Sequence, residues 1–157
     1  MFFSTSKCPL CKQKGQKVNS ETMLHHVKDI SKISDANYFY CDTPSCDIVY
    51  FNSSEVFNTS MLNKEVGLKD ISSQQALVCY CYNYSKSALD TNGLVQKIQI
   101  RMDNYGSRCD TRHPSGECCL PQIKQIIKEK IISIEERKRG IKQDMIKLQE
   151  RRALENQ

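Results

Sequence analysis

The chain has no tryptophan and only 8% aromatic residues, which excludes a large apolar core. Domains with thin cores are commonly held by staples such as metal centres. No apolar run approaches the ~20 residues that span a bilayer. The apolar part of Met1-Phe2-Phe3-Ser4-Thr5-Ser6-Lys7 is too short for a secretory signal. A soluble cytoplasmic chain is therefore expected. No carboxylate pair, nucleophile–base set or phosphate loop is present, which points to a carrier rather than an enzyme. Internal repeats and low-complexity stretches are also missing.

What the chain has is cysteine. Nine residues fall into two sets. Cys8, Cys11, Cys41 and Cys46 form one; Cys79, Cys81, Cys109, Cys118 and Cys119 form the other. In a reducing compartment patterned thiols are metal ligands before they are disulfides. An odd number also fits a closed disulfide framework poorly. The formal net charge is +5. Two four-thiolate centres of about −2 each would bring the loaded protein to about +1. Net charge is then no argument for nucleic acid.

The chain reads as three pieces, 1–65, 66–122 and 123–157. In the first, Ser20 to Val27 reads as a short helix with Ser20 or Thr22 as N-cap. Tyr38-Phe39-Tyr40 and Ile48-Val49-Tyr50-Phe51 are aromatic and β-branched runs beside cysteines. A turn composition, Asp42-Thr43-Pro44-Ser45, lies between them, so a metal-closed hairpin is expected. In the second piece Ser85 can cap a helix over Lys86 to Asp90, and Leu94 to Ile98 resumes helically. Tyr105-Gly106-Ser107-Arg108 and His113-Pro114-Ser115-Gly116 read as loops. The third piece is one long helix with Pro121 in its first turn. Ile127, Ile131, Ile134, Lys138, Ile141, Met145, Leu148 and Arg152 follow the alternating four–three spacing of a coiled-coil seam. Gly140 weakens that helix by about 1 kcal/mol.

Cys8-Pro9-Leu10-Cys11 and the pair Cys41 and Cys46 have gaps short enough to turn two sulfurs each toward one ion. Four thiolates in a tetrahedron are the usual closed shell of structural zinc. His25 and His26 are rival ligands, but the cysteine quartet is already complete. Cys79-Tyr80-Cys81 is different. A one-residue gap is unusual in zinc ribbons and lets backbone amides point at cluster sulfurs. Gly116 and the start of the long helix would add donors. Tyr80, Tyr82, Tyr84 and Tyr105 crowd this segment and read as shielding. His113 reads as a surface residue or a neighbour of the ligands.

Cys79-Tyr80-Cys81, a helical stretch and then Cys119-Leu120-Pro121 resemble the 2Fe–2S domain of bacterioferritin-associated ferredoxins. A longer run, about 7 to 122, resembles the N-terminal region of CopZ-type iron–sulfur copper chaperones. It is carried by Cys8-Pro9-Leu10-Cys11, Thr22-Met23-Leu24-His25-His26, the stretch from Tyr38 through Cys41 and Cys46 to Phe51, Cys79-Tyr80-Cys81, and Pro114-Ser115-Gly116-Glu117-Cys118-Cys119-Leu120. The resemblance implies an α+β fold of small metal-stabilised modules. A zinc-ribbon-like β-hairpin module (1–65) would precede a mostly helical 2Fe–2S domain (66–122) and a long C-terminal helix (123–157). It implies Zn2+ at Cys8, Cys11, Cys41 and Cys46, and a 2Fe–2S cluster at Cys79, Cys81, Cys109 and Cys119. The ferredoxin pattern ends in Cys-x-x-Cys, but Gly116 stands three before Cys119, so Cys109 supplies the other ligand. Cys119 is preferred to Cys118 because it directly precedes Leu120-Pro121; Cys118 is then the spare thiol.

The function implied is one-electron transfer or metal handling, copper included, with a redox or metal-handling protein as partner. The Met-x-Cys-x-x-Cys copper-carrying segment of such chaperones is lacking: Cys8 to Cys11 is preceded by Ser6-Lys7. The alternative is a redox-sensing regulator or scaffold that uses the basic tail for oligomerisation or nucleic acid. Glu129, Glu135, Glu136, Asp144, Glu150 and Glu155 interleave with the tail's cations, so a solvated face is the simpler reading. The tail either pairs as a homodimer or folds back on the domains. Neither nucleic acid nor a membrane is an expected partner.

Overall fold

The structure is a computed structural model that describes residues 6–69 and 73–156. Met1 to Thr5, most of the stretch read above as too short for a secretory signal, lies outside the described residues. The chain divides into a compact unit up to Leu120 and a second unit from Pro121 onward. Among the described residues no helix is long and apolar enough to cross a membrane.

The expected hairpin is the middle of a larger sheet. Strands β1 (Gln16–Val18), β2 (Tyr38–Tyr40), β3 (Ile48–Phe51) and β4 (Val56–Asn58) form an antiparallel sheet in that order. In the β2–β3 pair Phe39 faces Phe51 and Tyr40 faces Tyr50, aromatic pairs that suit a pleated surface. Both flanking strands have three residues, too few for a readable period of two. The turn between β3 and β4 is closed by Asn52, whose Oδ1 accepts from the amides of Ser54 and Glu55.

Every residue of β3 is buried because both ends of the module use it. Val49 and Tyr50 join Val18, Met23, Val27, Tyr40 and Phe57 in an apolar cluster. Ile48 and Phe51 pack instead with Cys8, Cys41 and Cys46. Each fully buried large side chain contributes about 1.5–3 kcal/mol. Helix α1 (Ser20–His26) buries Thr22, Met23 and His26. Its N-cap is Asn19, without a side-chain cap bond, so neither Ser20 nor Thr22 takes the capping place expected of it.

The following region is more mixed than mostly helical. Strands β5 (Leu77–Cys79) and β6 (Tyr84–Ser85) pair as a hairpin. Gly67 runs beside it and donates its amide to the Leu77 carbonyl at 3.1 Å. A Cβ on Gly67 would stand 2.1 Å from that oxygen, so only glycine allows the approach. The expected helix at Lys86–Asp90 is a 3-10 turn; Ser85 holds its N-cap position but makes no side-chain cap bond. The helix resuming at Leu94, α2 (Leu94–Tyr105), runs on to Tyr105, which was expected in a loop. Gly106, at φ +75°, ends it. A short α3 (Cys109–Arg112) follows.

The last element, α4 (Leu120–Glu155), is a single helix of 36 residues. At 1.5 Å per residue it is about 54 Å long. Gly140 lies within it without ending it.

Candidate metal centres

The first cysteine pair sits on a tight turn. The Lys12 amide bonds the Cys8 carbonyl at 2.9 Å, the Cys8 amide bonds the Gln13 carbonyl at 2.9 Å, and Lys12 adopts a left-handed φ of 65°. The second pair lies in the β2–β3 connection, where the Cys46 amide bonds the Thr43 carbonyl at 3.1 Å. Folding brings the two turns together. All four sulfurs lie within 4.8 Å of one another. Cys8 and Cys46 are 3.8 Å apart, Cys11 and Cys41 3.6 Å. A tetrahedron with zinc–sulfur bonds of 2.3 Å has edges of about 3.8 Å. The donor set and its spacing therefore fit a zinc ion. Neither histidine joins the set: His26 is buried and its Nε2–H donates to the Thr111 carbonyl at 3.2 Å.

Crowding four acidic thiols divides their protons unequally. Burial raises the Cys11 thiol, but hydrogen bonds from Thr43, Gln13, Cys41 and Cys8 outweigh it and bring it down to about 6. Cys46 is pushed up to about 12, mainly by burial. Cys41 is raised as well, again mainly by burial. A bound cation favours the thiolate form of its ligands.

One cation is already there. Lys69 is only 2% exposed, and its Nζ donates to the carbonyls of Thr43 at 3.0 Å and Ile48 at 2.8 Å. Those carbonyls flank Cys46 in the chain, and the ammonium also lies 5.8 Å from the Tyr40 ring centre. Its charge lowers the Cys41 thiol against the effect of burial. Nothing in the pattern around Lys69 marks it from sequence, since lysines at loop positions are ordinarily exposed.

The second set gathers at α3, which packs against α1. Cys81 and Cys109 are 3.5 Å apart. Cys119 hydrogen-bonds both Cys79 and Cys109, and Cys118 also reaches Cys109. Cys79, Cys109 and Cys119 are buried, Cys81 and Cys118 half-buried. Among the described residues the first quartet alone has its ligand atoms all within 4.8 Å, so the second set is more spread. Amides converge on it. Arg108 donates to the Cys81 sulfur at 3.3 Å, the Tyr82 and Cys81 amides serve Cys79, and the Cys119 amide serves Cys109. The Cys119 side chain holds Cys109 down at about 5 and Cys79 at about 7, against burial. Cys119 itself is driven far up by the same bonds, and Cys81 rises to about 11, chiefly by burial.

Histidine 113 is no surface residue; it is 1% exposed beside this set. The Ser115 amide and hydroxyl both bond its Nδ1, which places the ring proton on Nε2. Burial lowers its pKa to about 4 and keeps it neutral. Of the four tyrosines only Tyr80 is buried; it packs edge-on against His26 and His113. Tyr105 is 82% exposed and shields nothing.

A small sheet closed by four cysteines, with a second thiol cluster beside it, defines a metal-binding protein. Residues 5–63 match the CopZ family described as a zinc binding domain. The copper chaperone CopZ of Archaeoglobus fulgidus is 33% identical over 119 residues, which cover 72% of this chain and 57% of that protein. The chain thus spans a little over half the length of that relative. The X-ray structure of the Archaeoglobus fulgidus CopZ N-terminal domain has a TM-score of 0.65 and 31% identity, covering 76% of this chain and 96% of that one. The chain belongs to the family of CopZ-type N-terminal regions.

Proposed function

We propose that Cys8, Cys11, Cys41 and Cys46 hold zinc and that Cys79, Cys81, Cys109 and Cys119 hold a 2Fe–2S cluster serving one-electron transfer in metal handling. The functional division is then 1–65 for zinc, 66–122 for the cluster and 123–157 for the helix. One observation carries the cluster: Cys81 and Cys109 lie in contact at 3.5 Å, Cys79 and Cys119 interact beside them, and backbone amides serve the set. Two thiolates per iron is what a two-iron core requires, and amide donors suit its negative charge. When bound, such a core supplies one-electron oxidation and reduction. The chain's own groups do the rest. The thiolates would hold the irons, and the amides of Cys81, Tyr82, Arg108 and Cys119 would stabilise charge on sulfur. Zinc has no redox chemistry, so the first centre is structural. The copper named for the relative fits as cargo, since cupric ion needs one electron to become cuprous.

The tail is read as a self-pairing element with a second copy of the chain as its partner. Ile131, Ile134, Ile141, Met145 and Leu148 are exposed along the four–three seam.

Anaerobic reconstitution with iron and sulfide tests the metal reading. The expected product is red-brown, with one zinc, two irons and two sulfides per chain and the paramagnetic resonance of a reduced 2Fe–2S centre. A colourless product with zinc alone overturns the cluster and leaves the first site standing.

A further inference from the structure

We propose that the face around Cys81 is a docking surface for the acidic side of a one-electron redox protein. This rests on the cluster reading above and adds the place and charge of the partner. Cys79, Cys109 and Cys119 are 1%, 8% and 1% exposed, whereas Cys81 is half-buried. An electron has its shortest path to solvent through that sulfur. Two open clefts meet at Cys81, of about 420 Å³ and 280 Å³. The first is lined by Arg108 and Arg112, the second by His25, Lys64 and again Arg112. Neither is lined by a carboxylate. Arg101 extends the basic face, its guanidinium 5.7 Å from the ring centres of Tyr82 and Tyr84. Glu21 and Asp110 border it in an adjoining cleft, which sets its limit on that side.

Complementary charge steers encounters and fixes orientation more than it adds affinity, which suits a partner that must leave after one electron. Exposed Tyr105 and half-buried Tyr82, both at the first cleft, give the contact an aromatic component typical of interfaces. The face is compact and centred on one thiol. A nucleic-acid site would instead run as a basic stripe with phosphate spacing.

The probe is an acidic flavodoxin. Its oxidised form is titrated into the zinc- and cluster-loaded protein by calorimetry. Its anionic hydroquinone is then mixed with the loaded protein by stopped flow. The hydroquinone loses one electron and becomes the blue neutral radical, no proton moves, and the cluster passes from two ferric irons to one ferric and one ferrous. Binding and rate are expected to fall with added salt. The double variant Lys64→Glu/Arg112→Glu is expected to lower both at least about 10-fold. Lys17→Glu, outside both clefts, is expected to change neither. Iron and sulfide content is measured on every sample. Loaded variants with unchanged binding and rate overturn the docking surface alone. Duplex DNA bound more tightly than flavodoxin through the same residues also overturns it. Protein that never takes up iron overturns the cluster reading first, and this surface with it.

Discussion

Lys69 is a buried ammonium whose hydrogen bonds go to two carbonyls beside Cys46. Buried charge is strongly unfavourable when unanswered, and a four-thiolate centre, about −2 when zinc is bound, would answer it; the Lys69 charge already lowers the Cys41 thiol. Lys69→Met keeps the length of the side chain and removes the charge and the donors. It is expected to destabilise the zinc-loaded fold by about 3 kcal/mol. Zinc should also pass to a chromogenic chelator roughly 10-fold faster or more. Unchanged transfer would show that Lys69 only braces the two carbonyls. At the second centre the test separates two adjacent thiols. Cys119 is buried and bonds Cys79 and Cys109; Cys118 is half-buried and bonds Cys109. Cys119→Ser is expected to lose most iron and sulfide, while Cys118→Ser keeps both. The reverse result would make Cys118 the ligand.

At the scale of elements, the joint between α1 and α3 binds the two cysteine regions. Thr22 Oγ1 donates to the Asp110 carbonyl, His26 Nε2 to the Thr111 carbonyl, and Tyr50 in β3 to the Pro114 carbonyl. His26 titrates within that joint. Burial, first, and the charges of His25 and Lys64 lower its pKa from 6.5 to about 4, against the hydrogen bonds it makes to the Thr111 and Arg112 backbone. Between those values the unfolded chain takes up a proton that the folded chain refuses. Stability from this residue is therefore complete above about pH 6.5 and declines as pH falls toward 4. The span amounts to about 3 kcal/mol. Thiolate protonation releases zinc in the same direction, so the measurement is a difference. His26→Gln can still donate to Thr111 and does not titrate. Its melting temperature should fall less than that of the unsubstituted protein between pH 6.5 and 4. Parallel curves would place the acid sensitivity in the metal centres.

That joint also shows where sequence reading stops. Cys8 with Cys11 and Cys41 with Cys46 are each local pairs, so their convergence needed only one hairpin, and β2 and β3 were legible from their aromatic runs. Cys79 with Cys81 was legible for the same reason. Cys109 and Cys119 lie far apart from them in the chain, and only resemblance singled them out. Strands β1 and β4 escaped because three residues carry no period. Lys69 and His113 escaped because their burial comes from long-range packing, which leaves no local trace.

For the whole molecule the open question is how many chains assemble. Along α4 one row of the seam, Ile127, Ile134, Ile141 and Leu148, is entirely apolar; the other, Ile131, Lys138, Met145 and Arg152, alternates apolar with basic. Ile134 and Ile141 are 50% and 62% exposed. A polar residue inside a seam weakens the pair but fixes its register, and Lys138 and Arg152 lie where they would do so. Glu135 and Arg139, four apart, support the helix itself. The single chain is 18.1 kDa. Sedimentation equilibrium should give roughly 36 kDa, the mass of a two-fold pair. Ile134→Asp with Ile141→Asp, or removal of residues 123–157, should return the mass to that of one chain. Neither change touches a cysteine, so zinc content should stay constant across the series. A monomer at every concentration would remove the second copy as the partner of this face, whatever the metal content proved to be.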